Sequence, residues 1–275
     1  MSTINLNHNP STDRRVALVT GATGAIGRAI ARQLAKRTDF AVALLGRDES
    51  RTQDAAASIR QTSGNQQVGY VLADLSRRHE IYALAERWEG PLHVLINNAA
   101  ATPRQRQETP EGIELQFATN VLGYFWMTRA FRDILAASAP ARIVNVASYY
   151  AGDLELDDLE FERRTYDNRR AYRQSKQANR MLTAAFAQRL ADDNIAVNAC
   201  HPGDVNSKLS NNLGFGGSES PDQGADTPVW LATSPEGGEK TGRYFANRRE
   251  RRDPFTQDAD AVEALYQACL AYETA

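Results

Sequence analysis

Short apolar runs recur along the chain, and between them lie stretches whose apolar positions follow helical spacing. The runs are 16–20, 41–45, 68–72, 92–96, 142–146, 195–199 and 243–245, and several are bounded by Gly, Asn or Pro. They predict seven strands. Val16-Ala17-Leu18-Val19 and Ile143-Val144 are continuously apolar rather than alternating, as expected of strands buried on both faces. Helical spacing covers 26–37, 49–61, 76–88, 111–137, 171–191, 223–233 and 258–272, the fourth opening after Thr109-Pro110 with Thr109 as cap and Pro110 at the first helical position. Strands alternating with helices predict an α/β fold: a doubly wound, Rossmann-type parallel sheet with helices on both faces and a ligand crevice at the carboxyl ends of the strands.

Neither an internal repeat nor an interdomain linker interrupts the pattern. Residues 14–275 are therefore expected to form one domain, preceded by a polar, flexible tail over 1–13. The one shift of composition, 203–224, is rich in Gly, Ser and Asn and is expected to be a mobile binding loop. Composition narrows the function. The 275 residues are 42% hydrophobic and 24% charged with a net charge of -2, which removes disordered and collagenous classes and disfavours a polyanionic partner such as nucleic acid. No apolar run reaches the length of a membrane span, so no membrane partner is expected. Cys200 and Cys269 have no paired spacing, which excludes a disulfide scaffold or zinc ribbon and suits a reducing, cytoplasmic compartment.

Candidate chemistry begins where the first strand runs into Thr20-Gly21-Ala22-Thr23-Gly24-Ala25-Ile26-Gly27 and then a helix. Glycines there permit a tight turn and a close backbone approach to a pyrophosphate, which the positive end of the helix dipole also favours. A nucleotide P-loop is excluded because no Gly-Lys-Ser/Thr follows. About 20 residues on, where an acid would favour NAD, the chain reads Gly46-Arg47-Asp48. Arg47 can pair with a 2′-phosphate and so predicts NADP, while Asp48 stands near enough to bind the ribose instead. Asp74, followed by Leu75, can hydrogen-bond the adenine amino group; capping of the next helix by Asp74 or Ser76 explains it nearly as well. Asn97-Asn98-Ala99-Ala100 follows the fourth strand, and amides there can fix backbone and line the cleft or simply make a turn.

Tyr172 and Lys176, at i and i+4, share one face of a helix. An ammonium beside a phenol favours the phenolate and lowers its pKa, which makes Tyr172 a usable proton donor and acceptor. Ser148, just past the fifth strand, can hydrogen-bond a substrate oxygen, and Asn120 is an amide inside a long helix that needs a reason to be buried.

Taken in order, Thr20-Gly21 to Gly27, Asn97-Asn98-Ala99, Asn120, Ser148, Tyr172-x-x-x-Lys176 and Pro202-Gly203 resemble the short-chain dehydrogenase/reductase family from Val16 onward. Arg142 to Ser148, the long insertion before Tyr172, Ala171 to Asn179, and Gly242-Arg243-Tyr244-Phe245 look most like its branch of retinol dehydrogenases and light-dependent protochlorophyllide reductases. The resemblance implies that Tyr172 is the catalytic acid/base and that Ser148 orients the carbonyl or alcohol. It further implies that Lys176 binds the nicotinamide ribose and tunes Tyr172, and that Asn120 holds a relay water. Val205 and Ser207, after Pro202-Gly203, would contact the nicotinamide carboxamide. Expected cofactor contacts are thus Gly21, Thr23, Gly24, Ile26, Gly27, Arg47, Asp74, Leu75, Asn98, Ala99, Tyr172, Lys176, Pro202, Gly203, Val205 and Ser207, with no metal. Ala25 and Ala100 depart from the family's usual glycines, both by a single methyl. The membrane anchor of many retinol-type enzymes is not seen, which points away from a retinoid.

The insertion carries six acids over 153–162 followed by several arginines, the pattern of a solvated surface or of a polar rim over the site. Tyr149 and Tyr150 can stack on a flat ring or pack beneath the insertion. Arg248, Arg249, Arg251 and Arg252 read as a surface patch, and His201 as a packing or loop residue. The reading is an NADPH-dependent reductase of a ketone or aldehyde of small to medium size, aromatic and natural-product types included, with Tyr172 as general acid. An NAD-dependent secondary alcohol dehydrogenase and a non-catalytic NADP-binding regulator are the alternatives. A homodimer or homotetramer is the family expectation, with the long fourth and fifth helices as candidate interface.

Overall fold

A computed structural model describes residues 14–273, so the tail expected over 1–13 lies outside the described residues. One sheet of eight strands, in the order β3-β2-β1-β4-β5-β6-β7-β8, carries the fold. The strands are β1 (Arg15–Thr20), β2 (Phe40–Gly46), β3 (Val68–Leu72), β4 (Val94–Asn97), β5 (Ala141–Val146), β6 (Ile195–His201), β7 (Tyr244–Ala246) and β8 (Arg249–Arg251). All pairings are parallel except β7 with β8. Strand order reverses between β1 and β4, which places a ligand crevice beyond their carboxyl ends.

The seven predicted strands are present, with ends shifted by a residue or two. The eighth was read as part of a basic patch. Ala246 pairs with Arg249, so Asn247 and Arg248 alone make the turn, both with positive φ (51° and 57°), as a two-residue hairpin loop demands. Arg249-Glu250-Arg251 is exposed, and a short charged strand suits a sheet edge that must not pair with another chain.

The two faces of the sheet explain the burial of the central strands. Alternate residues of β1 divide between them: Val16 and Leu18 join the larger core, Ala17 and Val19 the smaller. The smaller core lies under α1 (Ala25–Ala35), α2 (Glu49–Ser63) and α8 (Pro221–Thr233). The larger lies under α3 (Arg78–Glu86), α4 (Gly123–Ala130), α5 (Arg132–Ala137), α6 (Asn168–Arg189) and α10 (Ala259–Ala271). Within the larger core α10 packs on α4 and α6, where Tyr266 meets Phe125 and Phe186 edge-on at 5.2 and 5.5 Å.

The predicted helix 111–137 is corrected. Gly112 has φ +82° and Glu108 bridges Glu114, so Thr109 and Pro110 belong to a turn, with the Thr109 hydroxyl accepting from Glu111 and Ile113 N–H. The helical region is started by Glu114, whose carboxylate accepts from the N–H groups of Gln116 and Phe117 at 2.9 and 2.7 Å. A π-helical turn, Phe117–Leu122, precedes α4.

The segment 203–224 is not structureless: it carries α7 (Lys208–Asn212), closed by a capping box between Ser207 and Ser210. A further short helix, α9 (Pro235–Glu239), follows α8. The acidic insertion is likewise built rather than merely solvated. Buried Asp158 accepts three backbone N–H groups, from Glu162, Arg163 and Arg164, and pairs with the Arg164 guanidinium at 2.8 Å. Burial alone would raise its pKa, but these donors outweigh burial and hold it at about 2. A depressed carboxylate contributes stability above its unfolded pKa, near 4, and loses it as pH falls through about 2. Asp158→Asn is therefore expected to remove about 2 kcal/mol at neutral pH and to flatten the acid limb of stability between about pH 4 and 2. Urea unfolding of both proteins across that range checks it, and identical acid limbs would remove this role.

Candidate active site

At the end of β1 the chain turns through Gly21, with φ +64°. A Cβ there would come within 2.7 Å of the Ala99 Cα, so even a tolerated left-handed residue would strike the β4 segment. At Gly27 a Cβ would meet the Gly21 carbonyl and would lie 2.5 Å from the Asn98 amide nitrogen. Asn98 ties the turn to β4: its side chain donates to the Thr20 carbonyl at 2.9 Å, and its own N–H and that of Ala99 donate to the Thr20 hydroxyl at 2.8 and 3.1 Å. The expected amide role after the fourth strand is thus backbone fixation.

The first turn of α1 has no side-chain cap and no acid, which leaves the positive end of the helix open to an anion. Gly24 is the N-cap in an extended conformation, and Ala25 is the exposed first residue of α1 with helical geometry, which explains why a methyl fits where the family's middle glycine is usual. A dinucleotide pyrophosphate fits this cradle of missing Cβ atoms and unpaired donors. Ile26, on the same turn, sits 3.5 Å from where a Gly224 Cβ would be, and Val205 presses on that position too. Glycine turn and β6 loop are so brought together.

Beyond β2, Arg47 is 72% exposed and lies 3.8 Å from Asp74, a loose ion pair that leaves the guanidinium available. Gly46 has no room for a side chain because Thr52 fills that space. Asp48, the acid rival, caps α2 by accepting from Arg51 N–H at 2.9 Å. Asp74 accepts the N–H and hydroxyl of Ser76 through Oδ1, at 2.9 and 2.8 Å, so its local turn role is realised in the described structure. Leu75 is buried, and its carbonyl would stand 2.8 Å from a Cβ at Gly123.

Ser148, Tyr172 and Lys176 come together between β5 and α6. Tyr172 is buried and its phenol is hydrogen-bonded to Ser148, whose hydroxyl also accepts from Tyr150 N–H at 3.0 Å. Burial pushes the Tyr172 pKa up to about 12, against the lowering effect of the Ser148 hydrogen bond. Lys176 donates from Nζ to the Val146 carbonyl at 2.9 Å, and the same carbonyl accepts from the Tyr124 hydroxyl at 3.4 Å. Burial pulls the Lys176 pKa down to about 7. The expected lowering of the Tyr172 pKa by Lys176 is not seen: burial raises the phenol against the Ser148 hydrogen bond, and burial lowers the Lys176 ammonium.

Asn120 sits in the π turn, where its amide accepts from Ala101 N–H at 2.7 Å and donates to the Ala101 carbonyl at 3.0 Å and the Ser175 hydroxyl at 3.2 Å. Widened turns of this kind recur at functional sites because they re-aim one residue. Gln116 extends the network to the Tyr166 hydroxyl at 2.8 Å. Ser175, Gln116 and Tyr166 were not expected here; the tertiary approach of the insertion to the π turn carries no local sequence signal.

On the other side of the crevice Pro202 leads into Gly203, whose φ is +100° and whose missing side chain makes room for the Glu219 carboxylate, which accepts from Asp204 N–H at 2.8 Å. Val205 is buried and bridges Glu219. Ser207 spends its hydroxyl on the α7 cap. Thr23 flanks the glycine turn, half-buried.

A family model described as short chain dehydrogenase matches residues 15–215, spanning the cradle and every group at the Tyr172 centre. The chain belongs to the short-chain dehydrogenase family. It is retinol dehydrogenase-like: it is 32% identical over 273 residues to human Retinol dehydrogenase 13, a match covering 92% of this chain and 82% of the relative. A solved structure from Mycobacterium Paratuberculosis superposes with TM-score 0.79 at 26% identity, covering 100% of this chain and 98% of that one. RhlG of Pseudomonas aeruginosa, solved as an NADP active-site complex, has TM-score 0.68 at 25% identity, covering 85% and 94%. The family makes this chain an oxidoreductase acting on CH–OH or C=O groups with a nicotinamide dinucleotide. Among the described residues no helix is long and apolar enough to cross a membrane.

Proposed function

We propose that this short-chain dehydrogenase reduces a ketone or aldehyde with NADPH, using Tyr172 as general acid. The observation that carries this reading is the buried Tyr172 phenol, hydrogen-bonded to Ser148 and with a pKa of about 12. Such a phenol is fully protonated at neutral pH and holds the proton that a nascent alkoxide needs. The bound dinucleotide supplies the hydride. Ser148 orients the carbonyl oxygen toward Tyr172, and Tyr172 transfers its phenolic proton to that oxygen as the C–H bond forms. Lys176 would hold the nicotinamide ribose through its Nζ donors, and its charged form would steady the tyrosinate left behind. Asn120 acts through the Ala101 backbone, which it clamps by accepting from its N–H and donating to its carbonyl.

The choice of NADPH rests on Arg47. It is exposed and only loosely paired, while Asp48 is committed to its helix cap. Arg47→Ala is expected to weaken NADPH binding about ten- to a hundredfold, the worth of a charge-assisted contact to a 2′-phosphate, and to change NADH binding far less. Fluorescence titration with each dinucleotide reads this. Equal losses for both, or none, would move the assignment away from Arg47.

A further inference from the structure

Two tyrosines follow Ser148, and they are treated differently. Tyr150 is covered: Phe215 of the loop after α7 packs edge-on to it at 5.0 Å, and the Arg173 guanidinium stands 5.0 Å from its ring centre. Tyr149 is left open, 60% exposed, the one large apolar side chain so exposed among the described residues. Its ring is nevertheless held. The His201 imidazole lies against it at 4.5 Å between centroids and 83° between planes. A single exposed tyrosine is ordinary on a protein surface. One that is fixed by an aromatic neighbour beside the reacting groups is a preorganised face.

Three further facts place that ring near Ser148 and Tyr172. Adjacent Cα atoms are about 3.8 Å apart, so the Tyr149 side chain starts one residue from the Ser148 hydroxyl. Its phenol is close enough to Tyr172 to contribute to the raised pKa there. His201 ends β6 directly before Pro202-Gly203, and its Nδ1 is buried with no hydrogen-bond partner among the described residues. Burial holds the imidazole at about 4, so near neutral pH it is an uncharged ring and its contact with Tyr149 does not change with pH.

We infer that Tyr149, braced by His201, is a stacking subsite for a planar aromatic ring attached at or near the reacting carbonyl, which makes aryl ketones and aldehydes the preferred substrates. The inference rests on the reading of Ser148 and Tyr172 as the groups at that carbonyl. An offset stack on Tyr149 leaves the carbonyl a bond or two away, over Ser148.

The test compares 1-phenylethanone with cyclohexyl methyl ketone, which has the same carbon skeleton and no flat ring. Both are presented to the NADP(H)-loaded protein, and ring contact is read by saturation-transfer NMR independently of turnover. The wild type is expected to saturate the phenyl protons strongly, with KM for the aryl ketone about tenfold below that for the saturated one. Tyr149→Ala is expected to remove most of that difference and the ring saturation, Tyr149→Phe to keep both, and His201→Ala to give a partial loss. An unchanged preference in Tyr149→Ala, or no ring contact in the wild type, overturns the subsite. Ring contact that depends on Tyr149 without any turnover supports the subsite and instead overturns the reductase reading.

Discussion

Tyr172→Phe is expected to lower kcat by a factor of about 10² to 10⁴ while leaving dinucleotide affinity within about twofold. The phenyl ring fills the same buried space, so the packing around α6 is kept and only the hydroxyl is lost. That hydroxyl is the one proton at the site both acidic enough to be transferred and bonded to Ser148. Lys176 does not stand in for it, because its Nζ donates to the Val146 carbonyl, 2.9 Å away, and not to Ser148. Steady-state rates on one carbonyl substrate, paired with a dinucleotide titration, separate loss of chemistry from loss of binding. A variant within about tenfold of wild-type kcat would mean that another group supplies the proton.

Gly27→Ala is expected to weaken binding of either dinucleotide by about ten- to a hundredfold. The added methyl would meet the Gly21 carbonyl and the Asn98 amide, both held by backbone hydrogen bonds of the turn, so relief requires moving the cradle itself. Overpacking of this kind costs about 1–3 kcal/mol, which is felt at the donors that face the pyrophosphate. Gly24→Ala is a control, since a Cβ there would lie 3.3 Å from the Gly21 carbonyl, tight but tolerable. Titration with NADPH, alongside circular dichroism to establish that each variant is folded, reads the effect. Equal affinity in Gly27→Ala and wild type would contradict the close-packing account of the turn.

Much of the scaffold was legible because its signals are local. Val16-Ala17-Leu18-Val19 reads as a strand buried on both faces, and glycine turn, Asn98 and the Tyr172/Lys176 spacing mark where the crevice lies before any coordinates are known. What escaped was non-local. The turn at Asn247-Arg248 is carried by two left-handed residues, of which only the asparagine favours that conformation, and a strand of Arg-Glu-Arg has no apolar alternation to betray it. Helical spacing continues through Gly112 and the π turn, so the sequence over 111–137 looks like one helix although Glu114 starts the helical region and the ladder then widens. The partners of Asn120, namely Ala101 and Ser175, come from segments 19 and 55 residues away. The electrostatics escaped for the same reason. Spacing puts an ammonium near a phenol, but only the fold shows that burial raises Tyr172 and lowers Lys176.

The central claim is that this chain transfers a hydride to a carbonyl rather than merely holding a dinucleotide. The most direct measurement mixes enzyme, one equivalent of NADPH and a panel of aryl and alkyl carbonyl compounds, and quantifies alcohol by mass spectrometry against NADPH consumed. The account predicts one alcohol formed for each NADPH oxidised, with the second hydrogen drawn from water through Tyr172, and loss of product in Tyr172→Phe. Tight NADPH binding with no alcohol from any member of the panel would contradict it and would favour a dinucleotide sensor built on the same fold.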